Sequence, residues 1–87
     1  KQDRAWLYER LVGVADVRPY VSDANFILFR VMHADKIFQG LKKRGVLIKN
    51  LSKSHPLLVD CLRVTVGTPQ ENEQFIRALQ ESIHQFV

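Results

Sequence analysis

Asp60-Cys61-Leu62-Arg63-Val64-Thr65-Val66-Gly67-Thr68-Pro69 reads as a strand running into a helix. Leu62, Val64 and Val66 alternate with Arg63 and Thr65, the period-2 pattern of a strand with one buried face. Gly67 ends that strand. Thr68 then suits a helix N-cap, Pro69 the first helical position, and Glu71 the partner carboxylate of a capping box. Arg63 therefore sits mid-strand, on the face opposite the leucine and valines. A guanidinium in the middle of a sheet calls for an anion, because burying a charge without a partner is costly.

The surrounding chain sets the scale. Eighty-seven residues, 46% hydrophobic and 25% charged, fit one domain with a modest core. No apolar run approaches the roughly 18 residues of a membrane span, and no stretch resembles a signal peptide. One cysteine, Cys61, rules out an internal disulfide framework and fits a cytosolic setting. The net charge of +4 is spread along the chain, with one local cluster at Lys42-Lys43-Arg44, and gives little support to nucleic-acid binding. The chain starts at Lys1 rather than at a methionine and enters a helix at once, as expected of a piece cut from a longer protein.

Working outward, residues 3–12 favour helix, with Leu7 and Leu11 on one face, Trp6 and Val14 near it, and Gly13 as a stop. Val17-Arg18-Pro19 is a short extended piece whose proline confines it to a sheet edge. Residues 25–31 (Asn-Phe-Ile-Leu-Phe-Arg-Val) form the most strand-like run, apolar enough for partial cover on both faces. Residues 34–44 read as a second helix with Ile37, Phe38 and Leu41 inward and Gly45 as its C-terminal glycine. Val46-Leu47-Ile48 reads as a short buried strand delivering Lys49 and Asn50, and residues 51–59 as a loop. After the Leu62–Val66 strand, residues 69–85 form the last helix, with Phe75, Leu79, Ile83 and Phe86 as its stripe and Ile76 in support. The order predicts an α+β unit of two layers: a small, mostly antiparallel sheet with helices packed on one face.

Three of these segments carry a resemblance. Ser22-Asp23-Ala24-Asn25-Phe26-Ile27-Leu28-Phe29-Arg30 resembles the S-x-A-N-F-x-L-x-R run of histidinol-phosphate aminotransferases. Gly45-Val46-Leu47-Ile48-Lys49 resembles their G-V-L-I-R segment. Cys61 to Asn72 resembles their C-L-R-V-T-V-G-T-P-E-E-N segment, the most specific of the three. Order and spacing agree, so the resemblance covers nearly the whole chain. It implies a single domain over residues 1–87, the C-terminal small domain of a fold-type I enzyme that uses pyridoxal 5'-phosphate.

The resemblance also implies a function. By it, the whole enzyme is a cytoplasmic homodimer that exchanges an amino group between L-histidinol phosphate and 2-oxoglutarate, with glutamate as the second product, in histidine biosynthesis. The Schiff-base lysine, the aspartate facing the pyridine nitrogen and the phosphate cup belong to a large domain outside this chain. No catalytic, cofactor-binding or metal residue is expected here, and the piece alone should be inactive. Arg63 matches the arginine that grips the acidic end of the substrate. Its planar fork suits a phosphate or carboxylate, and holding that end fixes the amine for reaction. Lys49 stands where the family usually has a second arginine; it keeps the charge and loses the fork, leaving it either a point charge at the phosphate or a solvent-facing residue. Asn25 matches a family asparagine with the structural task of tying a loop to the sheet.

Plainer readings exist for each residue. Arg63 could make a structural ion pair with Asp60 or a glutamate of the last helix. Cys61, His55 and Asp60 have no spacing that makes them meet as a nucleophile set, and a strand cysteine is ordinarily a small buried hydrophobe. His33, His55 and His84 lack metal-ligand spacing, and His84 reads as a helix-surface residue. The Gly67-Thr68-Pro69 turn could bind an anion through free amides, but capping already uses them. Lys42-Lys43-Arg44 reads as a solvated helix end. Two other functions stay open: an aminotransferase of the same group acting on aromatic or other amino acids, and a small ferredoxin-like binding module. The second usually needs aromatics on an open sheet face, and Phe26 and Phe29 point to opposite faces.

Overall fold

The computed structural model describes residues 2–86. Its elements run α1 (Gln2–Val12), β1 (Val17–Pro19), β2 (Phe26–Val31), α2 (Ala34–Lys43), β3 (Lys49–Asn50), a 3-10 turn (Pro56–Leu58), β4 (Cys61–Thr65) and α3 (Pro69–Gln85). The four strands form one sheet in the order β1-β2-β4-β3, with every pair antiparallel. The α+β architecture expected from the sequence is the one observed.

The sheet separates two environments. Ile27, Phe29 and Val31 alternate inward from β2 and meet Leu62 and Val64 of β4, since Ile27 pairs with Val64 and Phe29 with Leu62. Against this face lie Leu7 and Leu11 of α1, Ile37 and Leu41 of α2, and Phe75, Ile76 and Leu79 of α3, all buried. Phe29 and Phe75 meet edge to face, ring centroids 5.8 Å apart. All three helices share this face, which leaves the other face of the sheet open.

Local chemistry sets the helix ends. Thr68 and Glu71 form the expected capping box: Thr68 N–H donates to Glu71 Oε1 (2.9 Å) and Glu71 N–H to Thr68 Oγ1 (3.1 Å). Asn72, buried, braces the same turn, accepting from Gly67 N–H and donating back to Gly67 O. Gly45, at φ 82°, closes α2 with the paired bonds of a Schellman motif, its N–H to Lys42 O and Val46 N–H to Leu41 O.

Two expectations need correction. Val46-Leu47-Ile48 is not a strand: the short edge strand begins one step later, at Lys49. The Schellman turn commits the Val46 amide to α2, and Leu47 is 76% exposed, so only Val46 and Ile48 pack against the core. Arg44 is likewise no solvated helix end. It donates to Gly40 O, to Glu81 Oε1 and to Gln85 Oε1, tying the end of α2 to α3, while Lys42 and Lys43 stay exposed.

Candidate anion-binding face

The residues opposite the core define the open face. In β2 these are Phe26, Leu28 and Arg30, and in β4 Cys61, Arg63 and Thr65. Side chains directly across an antiparallel ladder share a face, so the register places Lys49, Arg63 and Leu28 in one row, and Cys61, Arg30 and Arg18 in the next. Four cations thus rise from this face, and none of its strand positions is acidic. Sequence reading singled out Arg63 and Lys49; the structure brings them together as direct neighbours across β3 and β4.

Arg63 is half-buried and packs its guanidinium over the Phe26 ring, 4.6 Å from the centroid. Phe26 is its shelf, a stacking contact that suits a planar cation. Arg63 Nε is buried and has no hydrogen-bond partner among the described residues. The structural ion pair weighed against this residue does not form: among the described residues Arg63 enters no salt bridge, and Asp60 instead receives the Ala34 N–H at 3.4 Å. A half-buried guanidinium held on an aromatic shelf, with no salt-bridge partner among the described residues, has the chemistry to take an anion.

The second row is occupied differently. Arg30 donates to Leu57 O (2.9 Å) and lies over the Tyr20 ring at 6.0 Å. Burial works against its charge, yet Cys61 and Tyr20 beside it carry its pKa above the ordinary arginine value. Arg30 thereby ties the 51–59 loop to the sheet, and Cys61, its partner across the ladder, is fully buried and unavailable as a nucleophile. His55 does not join it: its Nδ1 accepts from Leu57 N–H and caps the 3-10 turn. Asn25 ties the chain to the sheet through its backbone carbonyl, which accepts from Val66 N–H, with its side chain exposed. His84 is exposed on α3. Sequence reading passed over Arg18 and Arg30, although the same period-2 rule applied to residues 26–31 would have placed Arg30 beside Phe26.

The described residues do not make a holder for pyridoxal phosphate. Such a site needs a lysine drawn out of water, and Lys36, Lys42, Lys43, Lys49 and Lys53 are all exposed. Among the described residues no group of three His, Cys, Asp or Glu side chains is placed to hold a metal, and no helix is long and apolar enough to cross a membrane.

No family model matches the chain. It is 52% identical over 80 residues to the histidinol-phosphate aminotransferase of Polaromonas naphthalenivorans, covering 92% of this chain and 22% of that protein. It is 54% identical over 79 residues to histidinol-phosphate aminotransferase 2 of Nitrosococcus oceani, again 22% of the relative. The fold is that of one region of the histidinol-phosphate aminotransferase from Clostridium acetobutylicum, with a TM-score of 0.87 over 99% of this chain and 26% of that one, at 22% identity. The L-threonine-O-3-phosphate decarboxylase of Porphyromonas gingivalis shares it as well, with a TM-score of 0.85 over 95% of this chain and 26% of that one, at 23% identity. The chain is thus homologous, over nearly its whole length, to one segment of the histidinol-phosphate aminotransferases, and spans about a fifth of the length of the curated relatives it matches (22%).

Proposed function

We propose that this chain is the C-terminal small domain of a longer aminotransferase, and that its task there is to hold the acidic end of the substrate. The whole enzyme exchanges an amino group between L-histidinol phosphate and 2-oxoglutarate as a cytoplasmic homodimer, with pyridoxal phosphate supplied by parts of the protein outside these residues. The names of its relatives support the reaction class. The observation that carries the role of this domain is Arg63: a cation on an aromatic shelf, with a buried Nε and no salt-bridge partner among the described residues, directly beside Lys49.

Geometry supports a division of labour. Arg63 offers two parallel N–H donors to a phosphate or carboxylate, fixing orientation as well as charge. Lys49, exposed on the edge strand, adds a point charge that needs no particular angle. Together they suit a phosphate dianion, one cation setting direction and the other balancing the second charge. With the anion fixed, the far end of a short substrate can take only a small range of positions, so these two residues assist the reaction by positioning alone.

The test uses the full-length protein loaded with pyridoxal phosphate. Arg63→Ala should lower kcat/KM for histidinol phosphate by at least roughly 10- to 150-fold, since each charge-assisted hydrogen bond lost is worth about 1.5–3 kcal/mol. Unchanged kcat/KM would remove Arg63 from the site. Activity confined to aromatic or other unphosphorylated amino acids would move the reading to another aminotransferase of the same group. Failure to bind the cofactor would leave the open face as that of a binding module.

A further inference from the structure

β3 poses a physical problem. It is two residues long, lies at the sheet edge, and sets Lys49 directly opposite Arg63. Like charges face to face across a ladder repel, and a two-residue edge strand has little ladder to resist them. The flanking supports, Ile48 packed against the core and Leu51 N–H donating to Cys61 O at 3.1 Å, hold the backbone on either side but give the Lys49 side chain no partner.

The opposing force lies on the other side of the sheet. Asn50 follows Lys49 and so points to the opposite face, where its Nδ2 donates to Asp35 Oδ1 at 2.9 Å. Ser52 closes the bracket: its Oγ stands 2.9 Å from Asp35 Oδ1 and 2.6 Å from Asn50 Oδ1, sharing one proton between two acceptors, and its backbone N–H donates to Asn50 Oδ1 at 3.0 Å. Asp35 sits in the first turn of α2, a helix whose Ile37 and Leu41 are anchored in the core. A carboxylate there is favoured by the helix dipole. The bracket therefore joins the edge strand to a rigid element. Lys53, 3.9 Å from Asp35 Oδ2, is 88% exposed and adds little.

We propose that Asp35, acting through Asn50 and Ser52, is a positioning residue for the substrate: it pins β3 so that Lys49 stays beside Arg63 as the second cation of the anion site. The proposal rests on the reading that this face binds the acidic end of the substrate. It accounts for what the sequence left open, the direction of Lys49. In a two-residue strand, fixing the inward side chain of residue 50 fixes the outward side chain of residue 49.

The experiment compares Asp35→Ala, Asp35→Asn, Lys49→Ala, Arg63→Ala and the double variant Asp35→Ala/Lys49→Ala in the full-length, cofactor-loaded protein. The readouts are KM and kcat for histidinol phosphate and the competitive inhibition constant of inorganic phosphate. Asp35→Ala should raise KM and the inhibition constant by roughly three- to tenfold with kcat little changed, from the loss of hydrogen bonds to a charged acceptor. Asp35→Asn keeps an acceptor oxygen for Asn50 and should recover most of that loss. In the Lys49→Ala background, removing Asp35 should add nothing. Effects of Asp35→Ala and Lys49→Ala that multiply, or Asp35→Ala constants equal to wild type while Lys49→Ala is impaired, would overturn the positioning role and leave the anion site standing. Wild-type constants for both Lys49→Ala and Arg63→Ala would overturn the anion site itself, and this inference with it.

Discussion

Gly40 stands in the middle of α2, where it packs against Ser82 of α3, a residue with no exposed surface. A Cβ added there would lie 2.7 Å from Ser82 Oγ and 3.0 Å from Ser82 Cβ. Helix propensity argues for the change, since alanine gains about 1 kcal/mol over glycine in a helix interior. Packing argues against it. The Oγ could rotate away, but the Cβ is fixed to the α3 backbone, so α2 and α3 must separate, and overpacking of this kind costs about 1–3 kcal/mol. Arg44 resists that separation by bridging the same two helices. The net expectation for Gly40→Ala is destabilisation by about 1 kcal/mol, a fall in Tm of about 4–8 °C for a domain of this size. Ser82→Ala should act in the opposite direction, because Ser82 Oγ is buried without a partner among the described residues and such a hydroxyl costs about 1–3 kcal/mol. Urea unfolding of wild type, both single variants and the double variant completes a cycle. The double variant should recover part of the Gly40→Ala loss, since it removes the nearer contact and leaves the one to Cβ. A Gly40→Ala protein as stable as wild type, or single effects that simply add, would refute the claim that the two helices meet at van der Waals limit here.

Thr68→Ala should lower stability by about 1 kcal/mol, within the range of about 0.5–2 kcal/mol for lost N-caps, measured by the same unfolding titration. Asp35 accepts hydrogen bonds from Asn50 and Ser52, which lower its pKa below the ordinary 3.8. A depressed carboxylate pKa contributes stability that is complete above the ordinary value and lost as pH falls through the folded one. The stability gap between wild type and Asp35→Asn should therefore be widest at neutral pH and close below about pH 4. Phe26→Ala removes the shelf under Arg63, a cation–π contact of about 0.5–1 kcal/mol at an exposed site. In the full-length enzyme KM for histidinol phosphate should rise by roughly two- to fivefold with kcat nearly unchanged.

Local spacing determines the features that were legible in the sequence. The capping box at Thr68 and Glu71, the inward alternation of Leu62 and Val64 and the glycine stop at Gly45 each depend on residues within a few positions of one another, and each formed. The features that stayed hidden depend on partners far along the chain. Arg44 looked like part of a solvated helix end, yet its partner Glu81 is 37 residues away. Val46-Leu47-Ile48 looked like a strand because apolar, β-branched residues suit any extended segment against a core. Whether such a segment pairs depends on which amides the preceding turn has already used. Gly40 did leave a trace: a glycine inside a helical pattern sacrifices propensity and so points to a close contact on that face.

The open face shows how a sheet can serve two ends with one pattern. Alternation is commonly read as a way to bury one side, and here Ile27, Phe29, Leu62 and Val64 do bury it. The same alternation sends Phe26, Arg63 and Lys49 to the far side, at positions set by the ladder rather than by their own packing. Arg63 needs no structural ion pair to hold its place, because the strand that carries it is anchored through Leu62 and Val64 on either side. Among the described residues that leaves its Nε uncommitted. Lys49 lacks this support, since its own strand contributes no buried residue. It is the residue that needs a bracket from α2, and the one at which a lysine, indifferent to angle, costs least relative to an arginine.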